Sequence, residues 1–373
     1  QRLGKFRNLL VDIVPYAAPR SLEEFPLMYQ GRKRTIYQNA VDSLKVKPLT
    51  RTDSYLSTFL KAEKINFSRK PDPAPRVIQP RLPRYNASMG RFIKPLEHRL
   101  YSALAQIHGS PVVSKGFSID QVGQLIANKW QKFSNPIGIG LDASRFDQHV
   151  GVQALQWEHS IYNSIFRSSE LRELLNMQIR NVGFARCEDG CIKYNVNGCR
   201  MSGDMNTALG NCLIMCCLVM AYMNDKKIDY DFLNNGDDVV LIIDKQHQRK
   251  LDDLSDWFRE MGFAMEIEEA VDVLEELEFC QMHPVQVGDD DWTMVRNYPS
   301  CIAKDLVCLE PSAFKKWVHS VGIGGMSITE GVPVLQSFYQ CLKRNGNANG
   351  KKYEAYLADS GFFHYISKGG KHR

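Results

Sequence analysis

Residues 233–242 read Leu-Asn-Asn-Gly-Asp-Asp-Val-Val-Leu-Ile, two apolar runs meeting at a short polar turn. Asn235-Gly236 between strand-forming residues is a strong hairpin signal, because two-residue turns need positive φ and glycine supplies it without steric cost. Tyr230 to Asp244 is therefore expected as two short antiparallel strands with Asp237 and Asp238 at the tip. Taken alone, a Gly-Asp-Asp turn is most often just a solvated hairpin tip. What it means depends on what the rest of the chain brings to it.

Upstream, Ile137, Ile139 and Leu141 alternate with small residues and run into Asp142, which reads as a strand delivering a carboxylate at its end. A helix follows through Val152, Leu155, Tyr162 and Phe166, and capping that helix is the ordinary role for Asp147. Ser202-Gly203 forms a turn leading into a buried helix that reaches Met223, with Thr207 and Asn211 four apart on one face. Downstream, an amphipathic helix is expected over Gln248 to Met261, stopped by Gly262. Before the first strand, Ser118 with Gln121 predicts a capping box opening a helix through Val122, Leu125, Ile126 and Trp130. The prolines at 71, 73, 75, 80 and 83 exclude a long helix over 66–90 and predict an extended path. Helical spacing resumes from Ile93, with Pro95 in the first turn.

The 373 residues, 44% hydrophobic and 24% charged, are those of an ordinary globular protein, with no internal repeat or low-complexity tract. The apolar run from Cys212 to Met223 falls short of a membrane span, so no transmembrane segment is expected. Gln1 without an initiator Met or a leader is what a piece of a longer polypeptide would show, with any membrane anchor outside it. Ten irregularly spaced cysteines suggest a reducing compartment, and Cys187, Cys191 and Cys199 lack a fourth ligand at zinc-like spacing. The net charge is only +5, yet Lys61 to Arg99 holds ten basic residues against three acids. A basic segment on a balanced body suits a polyanion such as RNA or a triphosphate.

Extending a nucleic acid requires a 3′-hydroxyl to become a nucleophile while pyrophosphate leaves. Two divalent ions about 3.5–4 Å apart serve both ends of that displacement. Magnesium, which manganese can replace, keeps waters and phosphate oxygens and so needs few carboxylates. A strand-end Asp142 beside a turn Asp237, with Asp238 as a secondary ligand, is the expected set.

Read together, FLKAEK (59–64), PRVIQPR (75–81), LDASRFD (141–147), CRMSGDMNTALGN (199–211), NNGDDVVLI (234–242) and ELEFCQ (276–281) resemble the RNA-dependent RNA polymerases of positive-strand RNA viruses, most closely the tombusvirus group. The resemblance covers roughly residues 59–281. It implies an α+β, right-hand fold with an antiparallel palm sheet flanked by helices. The implied divisions are fingers over 1–136, palm over 137–165, a fingers insertion over 166–200, palm again over 201–296 and thumb over 297–373. Asp142, Asp237 and Asp238 correspond to the metal-binding aspartates. Asp147, Ser202, Gly203, Thr207 and Asn211 correspond to the ribose-recognition group. Lys61, Lys64 and Arg76, with Arg81 as a weaker candidate, match the channel that admits nucleotides, and Glu278, Phe279 and Cys280 the turn that grips the primer or product. The family's lysine acid for pyrophosphate has no counterpart over 263–278, leaving Lys245, Arg249, Lys250 or Arg259 without an assignment. The implied partners are RNA template and product, nucleoside triphosphates, an auxiliary viral protein and host factors, at membrane-associated replication complexes in the host cytoplasm.

Two rivals remain. A reverse transcriptase shares the palm but excludes the 2′-hydroxyl with a bulky side chain, whereas Asp147 with Asn211 suits ribonucleotides. A noncatalytic RNA-binding scaffold accounts for the basic segment but leaves the paired aspartates unexplained.

Overall fold

The computed structural model describes residues 2–61, 73–308 and 311–347. Helices α1 (Gly4–Ile13) and α2 (Gly31–Val46) precede two short strands, β1 (Leu56–Leu60) and β2 (Val77–Ile78). Of the proline-rich segment, 73–82 takes an extended path that includes β2, while 62–72 lies outside the described residues. Helix α3 (Pro83–His108) then starts ten residues earlier than the apolar spacing predicted. Pro83 stands in the first turn, where its missing N–H has no helical partner to lose. Pro95 falls inside the helix, where it withholds a donor from the Arg91 carbonyl. That carbonyl accepts instead from the Arg20 N–H at 2.9 Å, so the helix continues to a stop at Gly109, φ +97°. In α4 (Ile119–Trp130) the expected capping box is present: Gln121 N–H donates to Ser118 Oγ, and Ser118 N–H to Gln121 Oε1.

The chain continues through β3 (Pro136–Ser144), α5 (Phe146–His149), α6 (Val152–Phe166), α7 (Ser169–Asn176), β4 (Arg180–Cys187), β5 (Gly190–Asn197) and α8 (Thr207–Lys226). Next come the hairpin strands β6 (Tyr230–Asn235) and β7 (Asp238–Asp244). The helix expected over Gln248 to Met261 is broken. A 3-10 segment, Lys245–Leu251, is capped by Asp244, whose carboxylate accepts from Gln246 N–H, and α9 spans only Leu254–Glu260. The Asp253 carboxylate at the break is taken by Tyr222 and Lys226 of α8. Strand β8 (Ala264–Ile267), the hairpin β9 (Met282–Gln286) and β10 (Trp292–Arg296), and helices α10 (Tyr298–Asp305), α11 (Phe314–Met326) and α12 (Leu335–Asn345) complete the described fold.

A four-stranded sheet in the order β6-β7-β3-β8, antiparallel throughout, organises the molecule. Alternation along β3 and β7 divides it between two cores. Ile137, Ile139, Leu141, Val239, Leu241 and Ile243 pack with residues of α3, α6 and α8. Val240 and Ile242 pack with α4, the β9–β10 hairpin, α11 and α12. Burial on both faces explains why Val239 to Ile243 reads as an unbroken apolar run. On the second face β3 carries Gly138, where a Cβ would meet Leu277, and Gly140, where it would meet Glu268. A second sheet, β2-β1-β4-β5, contains one parallel pair, β1 with β4.

Helix α8 is longer than the Cys212–Met223 run suggested, and by length and composition alone it could cross a membrane. Here it is the central helix of the first core, with every residue from Leu209 to Met223 buried. The ten cysteines are free thiols. Cys187 and Cys191 lie exposed on the β4–β5 hairpin, while Cys199 Sγ approaches Gln148 O at 3.4 Å.

Candidate active site

Strands β6 and β7 pair from Tyr230↔Ile243 to Asn235↔Asp238, so the turn consists of Gly236 and Asp237, one residue later than Asn-Gly would centre it. Gly236 has φ +87° and Asp237 does not share the positive value, the pattern of a II′ rather than a I′ turn. Buried Asn234 holds the loop, accepting from Gly236 N–H and donating to the carbonyls of Gly236 and Asp238 at 2.8 and 3.1 Å. The shift has a chemical consequence. Asp237 occupies the turn, and Asp238 becomes the first residue of β7, directly across from Asp142 on β3. Directly opposed residues share a face, with Cα atoms roughly 4.5–5.5 Å apart. On its other side Asp142 pairs with Glu266 of β8.

The crowding is visible electrostatically. Burial, then the charges of Asp237 and Asp142, push the Asp238 carboxyl up to about 6. Burial, Glu278 and Asp142 raise Glu268 as well. Hard oxygen donors carrying surplus negative charge fit a divalent cation. Among the described residues no three His, Cys, Asp or Glu side chains form a closed ligand set. An open donor set is what magnesium needs, since it retains waters and phosphate oxygens beside one or two carboxylates.

Asp147, in α5, meets Asn211 on α8: Asn211 Nδ2 donates to Asp147 Oδ1 at 2.8 Å. Burial raises the Asp147 carboxyl, against the Asn211 hydrogen bond and the charge of Arg200. Ser202 lines the same cleft, and its Oγ accepts from Gln79 N–H at 3.2 Å. Gly203 is needed for packing, since a Cβ there would stand 2.4 Å from Pro80 Cα. Both contacts dock the extended segment against the start of the α8 turn. Thr207 Oγ1 closes that turn by donating to Met201 O at 2.7 Å.

Of the basic candidates, Lys61 and Arg76 are exposed on neighbouring extended segments, where Lys61 N–H donates to Arg76 O. Lys64 lies outside the described residues. Arg81 departs from the nucleotide-channel expectation. It is buried, pairs with Asp204 and donates to Ser54 O and Asn181 Oδ1, both at 2.7 Å, which leaves its guanidinium no access to a triphosphate. Its signal in the sequence, one more arginine in a basic run, was the same as that of its exposed neighbours.

Phe279 is buried in the second core, and Cys280 and Gln281 form a tight turn with φ +54° and +63°. Cys280 Sγ lies 3.1 Å from Asn235 Nδ2, so this turn rests on the hairpin tip, and Glu278 is 3.6 Å from His283. The general-acid candidates do not gather there. Lys245 pairs with Asp272 beyond the far end of β7, roughly 20 Å along the strand from Asp238. Arg259 pairs with Asp256.

One cleft brings Asp147, Asn211, Ser202, Thr207 and Asp237 together. It is lined as well by Tyr29, Lys33, Lys94 and Lys115, none of which the sequence had assigned to a site; Lys115 Nζ donates to Asn235 Oδ1 at 2.6 Å. Beneath Asn211 lies a second unforeseen group, the buried pair Arg200–Glu158. Its available signal was Glu158 itself, which shares the apolar face of α6 with Leu155 and Tyr162 and so calls for a buried cation.

The family described as viral RNA dependent RNA polymerase matches residues 1–371 of the chain. The RNA-directed RNA polymerase of Pothos latent virus (isolate Pigeonpea/India) is 47% identical over 358 residues, 95% of this chain and 48% of the relative. That of Turnip crinkle virus is 47% identical over 99% of this chain and 48% of its own length. The Tobacco necrosis virus (strain A) protein is 46% identical over 91% and 48%. The chain thus spans about half the length of the curated relatives it matches.

Proposed function

The chain belongs to the viral RNA-dependent RNA polymerase family, and on that premise we propose that it is the core that synthesises RNA on an RNA template for a positive-strand virus of the tombusvirus group. The observation carrying this reading is the cross-strand pairing of Asp142 with Asp238 beside the turn residue Asp237. The antiparallel sheet β6-β7-β3-β8 with α6 and α8 serves as the palm. The segments before β3, together with β4 and β5, serve as fingers, and α10 to α12 as the thumb.

Asp142 and Asp237, with Asp238 beside them, would hold two divalent ions, magnesium by preference with manganese able to substitute. When bound, these ions lower the charge barrier to attack and stabilise the leaving pyrophosphate. The remaining steps belong to the protein. Asp147 accepts a hydrogen bond from the 2′-hydroxyl of the incoming nucleotide, and Asn211 holds the acceptor in place. Lys61 and Arg76 attract the triphosphate, arginine through a planar fork and lysine as a point charge. Glu278, Phe279 and Cys280 support the growing strand beside the hairpin tip. Template and product RNA and nucleoside triphosphates are the direct partners. An auxiliary viral protein and host factors complete the assembly, at membrane-associated replication complexes in the host cytoplasm.

Primer extension on an RNA template with magnesium or manganese tests this directly. The parent should incorporate ribonucleotides, and Asp142→Ala and Asp237→Ala should each lower incorporation by at least about a thousandfold while retaining RNA binding. Persistent synthesis in either variant would remove that carboxylate from the chemistry, and a parent that prefers deoxynucleotides would point to reverse transcription.

A further inference from the structure

We infer that the buried Arg200–Glu158 pair is the positioning device for sugar selection, fixing which end of the Asn211 amide faces Asp147 and thereby which carboxylate oxygen remains for the nucleotide sugar. The inference rests on the polymerase reading above and deepens it.

An asparagine amide is nearly symmetric in shape and opposite in polarity at its two ends. With the oxygen toward Asp147, Asn211 would repel the carboxylate. Arg200 decides the matter, because its Nε donates to Asn211 Oδ1 at 3.0 Å and a guanidinium can face only the amide oxygen. Nδ2 is thereby turned to Asp147 Oδ1, leaving Oδ2 to accept from a hydroxyl in the cleft that Asp147 lines. Arg200 holds the partner residue too: its backbone N–H donates to Asp147 O at 2.8 Å. One residue therefore clamps both members of the sugar site.

The surrounding sequence is shaped to this end. Gly198 and Cys199 adopt φ +72° and +65°, an unusual consecutive pair that turns the chain just before Arg200. Glu158 anchors the other end of the guanidinium and is held by Tyr162 Oη–H at 2.8 Å and Asn206 Nδ2–H at 2.7 Å. Both side chains of the pair are wholly buried, and α8 makes room for them with Gly210, where a Cβ would stand 2.4 Å from each. A buried ion pair gives little net stability compared with well-packed apolar residues. Stability alone therefore does not account for such a pair one hydrogen bond away from the ribose acceptor.

The test uses the whole chain, an RNA template and paired ribo- and 2′-deoxynucleoside triphosphates, with thermal unfolding measured alongside. Arg200→Lys keeps the charge opposite Glu158 but loses the planar fork that also reaches Asn211. Its ratio of ribo to deoxy kcat/KM should fall about tenfold, one hydrogen bond's worth of discrimination, with deoxynucleotide use nearly unchanged. Glu158→Gln preserves shape and should fall between the parent and Arg200→Lys. An unchanged ratio, or equal losses for both sugars, would overturn the positioning role and leave the pair a structural one; so would failure of both variants to fold. A parent that incorporates no nucleotide would overturn the polymerase reading itself, an outcome distinct from an active parent whose variants keep its selectivity.

Discussion

Asp231 and Asp238 belong to the same hairpin, at opposite ends of the ladder between β6 and β7, and meet opposite surroundings. Burial alone would raise the Asp231 carboxyl, but His108, Lys129 and Lys132 outweigh it with hydrogen bonds and charge and hold it well below the usual carboxylate range. Lys129 and Lys132 reach it at 2.5 and 2.6 Å, and His108 at 2.9 Å, tying the ends of α3 and α4 to the sheet. At the other end, burial and neighbouring carboxylates push Asp238 up to about 6. One carboxylate has its countercharge built into the fold; the other is set among more carboxylates. A hairpin that meets two lysines and a histidine at one end and further carboxylates at the other suits a cationic ligand at the second end.

This contrast can be broken at either end. The largest effect on stability is expected from Asp231→Asn, which strands the buried Lys129 ammonium without its carboxylate. Chemical denaturation should show a loss of roughly 3 kcal/mol. The sign with pH follows from the lowered value: the Asp231 contribution is present above about pH 4 and is lost as the pH falls further.

A smaller effect near neutral pH is expected from His159, which lies in the network under Asn206 and contacts Gln178. Burial pushes its imidazole down to about 4, so between about 6.5 and 4 the unfolded chain binds a proton that the folded chain refuses. Folding stability should therefore fall as the pH is lowered through that window, by at most about 1.4 kcal/mol per unit. His159→Gln should flatten the curve there, and a parent and variant with parallel curves would contradict the assignment. The smallest effect is expected from Asp238→Asn, which relieves repulsion at the crowded end and should raise thermal stability of the metal-free protein by about 1 kcal/mol or less. A clear loss would mean that the Asp238 carboxylate is engaged by an internal cation.

The legible parts of the fold were those fixed by local chemistry. Gly236, the Ser118 capping box and the alternation into Asp142 each act within a few residues, and they are found as a turn, a helix start and a strand, although β3 runs two residues past Asp142 to Ser144. What the sequence concealed depends on partners distant in the chain. Pro95 is tolerated within α3 because Arg20, 75 positions away, satisfies the carbonyl that the proline leaves open. Arg81 and Arg76 look alike in sequence, and only Asp204 and Asn181 make one of them a buried strut. Asp147 with Asn211 could be named from their motifs, whereas Arg200 behind them was missed, because it lies in the loop before α8 and its partner Glu158 sits 42 residues upstream on α6. The turn register illustrates a finer limit. Moving the loop from Asn-Gly to Gly-Asp changes no element, yet it decides which aspartate faces Asp142.

Manganese titration followed by electron paramagnetic resonance, with nucleoside triphosphate present, compares the two ends most directly. The parent and Asp231→Asn should bind the ion with similar affinity, while Asp237→Ala should weaken binding at least about tenfold. Undiminished affinity in Asp237→Ala, with the loss appearing in Asp231→Asn instead, would contradict the claim that the acidic end of the hairpin is where the ligand's charge is received.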